Sequence, residues 1–324
     1  MDEKWLSERT FDHRDFADLE LLARKKADLG LSVSVCLPTL NVAATLGPIL
    51  DGCRALKETG GLIDQLAIVD SCSTDATVPI ALAAGAEVFL DRDILPGLAP
   101  AGGKGEALWK SLAVLTGDII IWIDSDIANF HPRFVYGLLG PLLNYPEIGY
   151  VKAFYRRPLL LPAGARQENE GGRVTEICVR PLLNFFWPPL ANLVQPLSGE
   201  SAARREVLES LPFFTDYAVE VGLLIHVLRR FGLSTIAQVN LDERVHTNQP
   251  LQKLGRMSFA ILQAVFKLLE DDGLVTGNTS NELRESFRLE DGVYMPVSER
   301  IQIIERPPFK SLDATGAAGF KEKV

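Results

Sequence analysis

Cysteine is scarce in this 324-residue chain: four residues, Cys36, Cys53, Cys72 and Cys178, with no CxxC spacing among them. That excludes a zinc ribbon and the dense disulfide scaffold of a small secreted domain, and it suits a reducing, cytoplasmic compartment. Positive charge is in deficit, 33 Lys and Arg against 42 Asp and Glu for a net charge of −9. A non-specific nucleic-acid binder that neutralises many phosphates is thereby excluded. The opening residues Met1-Asp2-Glu3-Lys4-Trp5 hold no apolar run, so no export signal is expected. The one long uncharged stretch, Pro181 to Gly199, is interrupted by Pro188, Pro189, Pro196, Asn184 and Asn192, and no membrane span is expected from it.

What is present is an ordinary globular composition, 47% hydrophobic and 23% charged. It excludes a disordered chain, a collagen and a coiled coil. The length suits two domains or one large α/β domain, and no internal repeat is visible. Residues 1–30 are charge-rich and read as an exposed helical arm. Leu31, Val33, Val35 and Leu37 then alternate with Ser32, Ser34 and Cys36, a strand ending at Pro38. Asn41 is placed to cap a helix over Ala43 to Thr59, stopped by Gly60-Gly61. A second strand, Leu66 to Val69, meets the polar turn Asp70-Ser71-Cys72-Ser73-Thr74-Asp75, and a helix follows as far as Ala84. Ala86 to Leu90 reads as a strand, Glu106 to Leu115 as a helix, and Ile119 to Ile123 as a strand buried on both faces.

Strands alternating with helices around a wholly apolar strand indicate an α/β fold with a mostly parallel, Rossmann-like sheet. Ligands of such sheets bind outside the carboxyl ends of the strands. Here those ends carry Pro38-Thr39-Leu40-Asn41, Asp70-Ser71 and Asp124-Ser125-Asp126, three polar tips expected to meet in one crevice. The second half is less regular. Strands are expected at Gly149 to Tyr155 and Ser234 to Leu241, and helices from Arg173 with a break at Pro181, from Ala218 to Phe231 and from Leu254 to Leu269. The organisation reads as 1–30 arm, 31–130 Rossmann-like half, 131–288 less regular half and 289–324 C-terminal arm, the last short of pattern and suited to a dimer contact.

Four motifs carry chemistry. Asp124 and Asp126 leave a buried strand at the ligand edge, where hard oxygens suit Mg²⁺ or Mn²⁺. The Asp70 turn offers hydroxyls and carboxylates to a ribose or base. Lys104, between Gly103 and Gly105 at a helix start, favours a phosphate, and without the full Walker pattern the loop is no evidence for an ATPase. Gly171-Gly172-Arg173-Val174-Thr175 repeats that physics, with Lys152, Arg156, Arg157 and Arg166 upstream and no acid between Lys152 and Gln167, which suggests an anionic second substrate. Each motif also admits a plainer reading as a capped turn, a flexible glycine loop or a solvated basic loop. Of the histidines, His246 follows a strand, and Glu200 and Glu220 are the further acids of interest.

Together these motifs, with Phe154-Tyr155-Arg156-Arg157-Pro158 and Gln195-Pro196-Leu197-Ser198-Gly199-Glu200, resemble the glucosyl- and mannosyl-3-phosphoglycerate synthases, retaining glycosyltransferases of GT-A fold. The resemblance implies transfer of a hexose from a nucleotide sugar to the 2-hydroxyl of 3-phosphoglycerate, giving a compatible-solute precursor, by a cytoplasmic homodimer. It implies Asp126 and His246 on a divalent metal, Asp124, Leu197, Glu220 and Lys104 at the chemistry, and Pro38, Leu40, Asn41, Ser71, Lys104, Asp124 and Ser125 on the nucleotide sugar. Gly172, Arg173, Thr175, Tyr217, Arg244 and Asn248 fall on the acceptor and sugar side. Val42 stands where the glucosyl enzymes carry an acid, and Thr247 and Gln249 where they carry arginines. Those departures point toward GDP-mannose, with GDP- or UDP-glucose also accepted. Two rivals stand beside this reading. A polyprenyl-phosphate glycosyltransferase shares the early motifs but needs a membrane-facing patch, and an inactive nucleotide-sugar-binding protein has no need of Asp124, Asp126, Lys104 and His246 together.

Overall fold

A computed structural model describes residues 2–58, 60–99, 101–160, 166–167, 172–245, 249–276, 281–290 and 293–312. In chain order, Glu3–Arg9 (α1) leads to Thr10–Asp12 (β1), and Leu19–Asp28 (α2) to Val33–Thr39 (β2). Ala43–Glu58 (α3), Gln65–Asp70 (β3), Thr77–Ala83 (α4), Glu87–Leu90 (β4), Lys104–Ser111 (α5) and Ile119–Trp122 (β5) complete the regular first half. Arg133–Asn144 (α6) and Tyr150–Arg156 (β6) follow, then the short pair Leu159–Leu160 (β7) and Arg166–Gln167 (β8), then Arg180–Phe186 (α7). Ser201–Arg204 (β9), Arg205–Glu209 (α8), Phe213–Phe214 (β10), Val219–Phe231 (α9), Ile236–Glu243 (β11) and Leu251–Asp271 (α10) come next. Leu283–Glu290 (β12), Val293–Arg300 (β13) and Glu305–Arg306 (β14) close the described chain.

Eight strands form one sheet in the order β1-β11-β6-β9-β5-β2-β3-β4. All neighbours are parallel except β9, which runs antiparallel to both β5 and β6. The central parallel strands are covered on both faces, so β5 and β3 are buried end to end and read as continuous rather than alternating apolar runs. Helices supply the cover through apolar stripes at helical spacing. On α3 the stripe is Leu46, Ile49, Leu50, Cys53 and Leu56, and on α6 it is Phe134, Val135, Leu138, Leu139 and Leu142, while the stripe of α10, Ala260, Ile261, Ala264, Val265, Leu268 and Leu269, packs toward α9. The sheet takes strands from both halves of the chain, and β2, β3 and β5 end at one edge in the order in which Thr39 pairs with Asp70 and Cys36 with Trp122.

Several sequence expectations are corrected. The first thirty residues are not an exposed arm: β1 extends the main sheet beside β11, and Trp5, Phe16 and Leu22 are buried. The described residues after Arg288 are no separate arm either. β12 and β13 pair as a hairpin, and the chain then returns so that β14 pairs with β10. There Arg306 makes a two-pronged ion pair with the fully buried Glu106 at 2.8 and 2.9 Å, and Trp109 donates to the Pro307 carbonyl. The helix at Lys104 starts two residues before the expected Glu106 and ends at Ser111. Asn41 does not cap α3. Its side chain accepts from the Thr74 amide, while Thr77 and Asp75 receive the amides of Val42 and Ala43, so the α4 turn caps the α3 helix across the sheet edge. Pro181 does not break its helix, because it sits in the first turn of α7, and the irregularity is the π turn Thr175–Val179 before it.

Candidate active site

The carboxyl edge of the sheet opens into a cavity of about 650 Å³. Its wall at β2 is Pro38, Leu40, Asn41 and Val42, joined by Ser71 from the end of β3. Ser125 ties two tips together, since its hydroxyl donates to the Pro38 carbonyl at 2.7 Å and its own carbonyl accepts from Thr45 at 2.6 Å. Asp70 is turned inward, occupied by Thr39 and by the Ser73 amide and hydroxyl, so it braces the turn rather than facing the cavity.

The floor is a chain of charges. At the first residue of α5, Lys104 donates to Asp124 at 2.5 Å and lies 2.9 Å from Glu220 at the start of α9. Arg244, just past β11, gives its Nε to Glu200 at 2.9 Å and its Nη2 to Asp126 at 2.6 Å and Asp124 at 3.1 Å. Glu200 also accepts from the Tyr155 hydroxyl at 2.5 Å. Burial opposes the Lys104 charge most strongly, yet Asp124 and Glu220 outweigh it and hold the ammonium above its ordinary range. Burial likewise pushes Asp124 toward its neutral form, and Lys104 and Arg244 reverse that, so its carboxyl sits below the usual carboxylate range. Tyr155 is pushed up by burial and by the Glu200 charge.

Close approach fixes the geometry further. A Cβ at Gly199 would stand 1.8 Å from Asp124 Oδ2, and one at Gly105 2.1 Å from the Phe214 carbonyl. Gly103, at φ +82°, lies against Asp216, itself at φ 55° and paired with Arg256. Only glycine suits these three contacts.

On the far side the cavity is lined by Gly172, Arg173, Thr175 and Tyr217, with Leu197 between the two sides. Arg173 donates to the Gln249 carbonyl at 2.8 Å. Every described residue that the resemblance assigned to the site lines one cavity, whereas His246, Thr247, Asn248 and Gly171 lie outside the described residues. The upstream basic run splits. Arg157 lines the cavity, Arg156 is paired with Asp242 at 2.9 Å, and Lys152 is buried under the floor. Asp216, Lys253 and the Glu200–Tyr155 pair were not picked out as site groups, although Glu200 stood out as an acid. Tyr155 lay within a quoted motif, and nothing local marks Asp216 or Lys253.

The donor set fits a hard divalent cation in one respect that the geometry fixes. Asp126 lines the cavity with its side chain 46% exposed, and among the described residues only Arg244 bonds it. Carboxylate oxygens of that kind suit Mg²⁺ or Mn²⁺. Among the described residues no three His, Cys, Asp or Glu side chains group as a complete cage. No helix among them is long and apolar enough to cross a membrane.

The chain is similar to known proteins over nearly its whole length. Residues 34–207 match the model of glycosyl transferase family 2. The chain is 47% identical over 317 residues to the glucosyl-3-phosphoglycerate synthase of Petrotoga mobilis, spanning 97% of this chain and 96% of that one. The corresponding enzyme of Mycolicibacterium smegmatis is 42% identical over 312 residues, 96% of this chain and 99% of its own. Among solved structures, mannosyl-3-phosphoglycerate synthase from Rubrobacter xylanophilus aligns with a TM-score of 0.87 at 40% identity, covering 96% of this chain and 98% of that one. Glucosyl-3-phosphoglycerate synthase from Mycobacterium tuberculosis in complex with Mn²⁺, UDP-glucose and phosphoglyceric acid aligns with a TM-score of 0.80 at 42% identity, covering 93% and 98%.

Proposed function

The chain belongs to glycosyl transferase family 2 and, within it, to the glucosyl- and mannosyl-3-phosphoglycerate synthases, and from that premise we propose that it moves glucose or mannose from a nucleotide sugar to the 2-hydroxyl of D-3-phosphoglycerate with retention. The enzyme is a hexosyltransferase that works with Mg²⁺ or Mn²⁺. One observation carries the assignment to residues: Lys104, Asp124, Asp126 and Arg244 form a single charge chain on the floor of a cavity whose far wall is cationic at Arg157 and Arg173.

In this reading Pro38, Leu40, Asn41, Ser71 and Ser125 hold the nucleotide, within the half spanning 31–130. Gly172, Arg173, Thr175 and Asn248, from 131–288, grip the acceptor's phosphate and carboxylate, where guanidinium and backbone amides suit an anion. Asp126 and His246 hold the divalent ion, which when bound offsets charge on the departing diphosphate. Lys104 adds its ammonium to the same oxygens. Asp124 faces the donor ribose and sugar, and Glu220 with Tyr217 and Arg244 borders the sugar.

The bond from the sugar's anomeric carbon to the phosphate oxygen breaks on the face where the acceptor's 2-oxygen forms its new bond. The hydroxyl proton passes to the leaving phosphate. Leu197 offers its backbone carbonyl to the positive charge that develops on the ring. The two carboxylates read as lying beside the sugar are tied to cations, Asp124 to Lys104 and Arg244 and Glu220 to Lys104, which weakens either as a covalent nucleophile and supports this front-face route. Proton NMR of the product tests it through the anomeric coupling, and mass spectrometry of Glu220→Gln turning over tests the alternative. An inverted product or a trapped glycosyl-enzyme would end the front-face reading.

The identity of the sugar is part of the proposal. The glucosyl names of the relatives at 41–47% identity weigh toward glucose, and the replacements at Val42, Thr247 and Gln249 weigh toward GDP-mannose. A homodimer is supported by the exposed Phe287, Tyr294 and Met295 of the β12–β13 hairpin, and a cytoplasmic site by four free thiols.

A further inference from the structure

Lys152 belongs to the basic run that suggested an anionic substrate, yet it does not reach the cavity. It lies in the middle of β6, paired in register with Ser201 of β9 and Gln238 of β11, and is 1% exposed. An ammonium in such a place is costly, and a methionine of similar length would fill the space without that cost. Among the described residues no carboxylate lies within ion-pair distance of it. Among those residues its nitrogen makes one hydrogen bond, to the Ser198 carbonyl at 2.5 Å.

That carbonyl belongs to the turn that separates the two sides of the site. β6 grips the turn at both ends: the Gln195 side chain bonds the Tyr155 backbone at 2.6 and 3.3 Å, and the Ala153 amide donates to the Glu200 carbonyl at 3.1 Å. Lys152 grips the centre. The Ser198 hydroxyl is buried and makes no hydrogen bond among the described residues, so the side chain of that residue does not anchor it. On either side of Ser198 the turn meets the chemistry. Leu197 lines the cavity, the Gly199 carbonyl is 3.5 Å from the Lys104 ammonium, and Gly199 is in direct contact with Asp124.

We propose that Lys152 is a positioning residue for sugar transfer, its buried ammonium pinning the Leu197–Ser198–Gly199 turn from beneath so that the Leu197 backbone and Asp124 stay in register with the donor sugar. The proposal rests on the reading of the cavity as a hexosyl-transfer site. A charged donor bonds a carbonyl about twice as strongly as a neutral one, which gives a reason for a lysine where an apolar residue would pack more cheaply. Burial pushes the Lys152 ammonium down to about 8, with Glu220 on α9, Glu200 ahead of β9 and Asp124 after β5 opposing that shift and Lys104 on α5 adding to it. The grip therefore weakens in mildly alkaline solution.

Lys152→Met in the full-length enzyme tests this against the parent, with kcat, KM for donor and acceptor, UDP and GDP affinity, and Tm all measured. The expected result is a fall in kcat of roughly 100-fold, the size of effect that a small misplacement of reacting groups produces, with both KM values and nucleotide affinity within about threefold and Tm equal or higher. The parent's kcat should also decline as pH passes about 8, and the Met variant's should not. Lys152→Gln, which keeps an uncharged donor, should fall between the two and serves if the Met variant does not fold. Unchanged kcat in either variant, or a loss of kcat matched by losses of Tm and nucleotide affinity, would overturn the proposal. Failure of the parent itself to act on 3-phosphoglycerate would instead overturn the functional reading on which it rests.

Discussion

Arg244 donates to Asp126 at 2.6 Å while a fully buried glutamate, Glu200, holds the same guanidinium from behind at 2.9 Å. The strand tip Asp124-Ser125-Asp126 is thus braced by a side chain about 120 positions later in the chain. Burial opposes the Arg244 charge, and the carboxylates of Glu200 and the two aspartates more than restore it. The arrangement leaves Asp126 as the half-exposed member of the group and the others enclosed. Their different exposures give them different expected phenotypes.

Asp126→Ala should fold as the parent does, with Tm within about 2 °C, because an exposed carboxylate contributes little to stability. The cation requirement should suffer instead. Calorimetric titration of UDP or GDP should show Mn²⁺ strengthening binding to the parent and having no effect on the variant.

Gly199→Ala would set a methyl group 1.8 Å from Asp124 Oδ2. Asp124 cannot yield without leaving Lys104 and Arg244. Overpacking of this kind costs about 1–3 kcal/mol, and the displaced carboxylate should lower kcat by roughly 100-fold. Urea denaturation and steady-state kinetics on the same sample would read both effects.

Arg306→Met would leave Glu106 buried without its bidentate partner, although Lys110 remains 3.5 Å away. Loss of roughly 3 kcal/mol is expected from denaturant melts. The double variant Glu106→Leu with Arg306→Met should recover much of it, because the uncompensated charge is then gone. An unaltered single variant would mean that residues 301–312 do not hold α5 as described.

Acid stability should carry the mark of Asp124. Its folded value lies below the unfolded 3.8, so the ionised carboxylate stabilises the fold fully above about pH 4, and that contribution is lost as pH falls through the folded value, about 2. Asp124→Asn should flatten this part of the stability curve, measured as urea midpoints against pH.

The site was legible where its signals are local. An apolar strand followed by Asp124-Ser125-Asp126, a glycine pair around Lys104 and a polar turn at Asp70 each announce themselves within a few residues, and the rule that ligands gather at strand carboxyl ends brings them together. What could not be read depends on distant partners or lacks a buried face. β1 is three residues long and pairs with a strand some 228 positions away, too short for any periodicity. The Arg306–Glu106 pair spans 200 positions. In β12 Leu283 and Phe287 alternate with Arg284, Ser286 and Arg288, but both are exposed, so the run has no buried face to mark it as part of a core. Lys152 looked like part of a solvated basic run because Arg156, Arg157 and Arg166 follow it with no acid before Gln167, and only the register of β6 between β9 and β11 puts it under the cavity.

The most direct test of the account is nucleoside diphosphate release with Mg²⁺, pairing UDP-glucose, GDP-glucose and GDP-mannose each with D-3-phosphoglycerate. The account predicts release that requires both the cation and 3-phosphoglycerate, that disappears in Asp126→Ala, and whose kcat/KM ratios name the donor. Release with none of the three donors, or release that is indifferent to 3-phosphoglycerate, would contradict it.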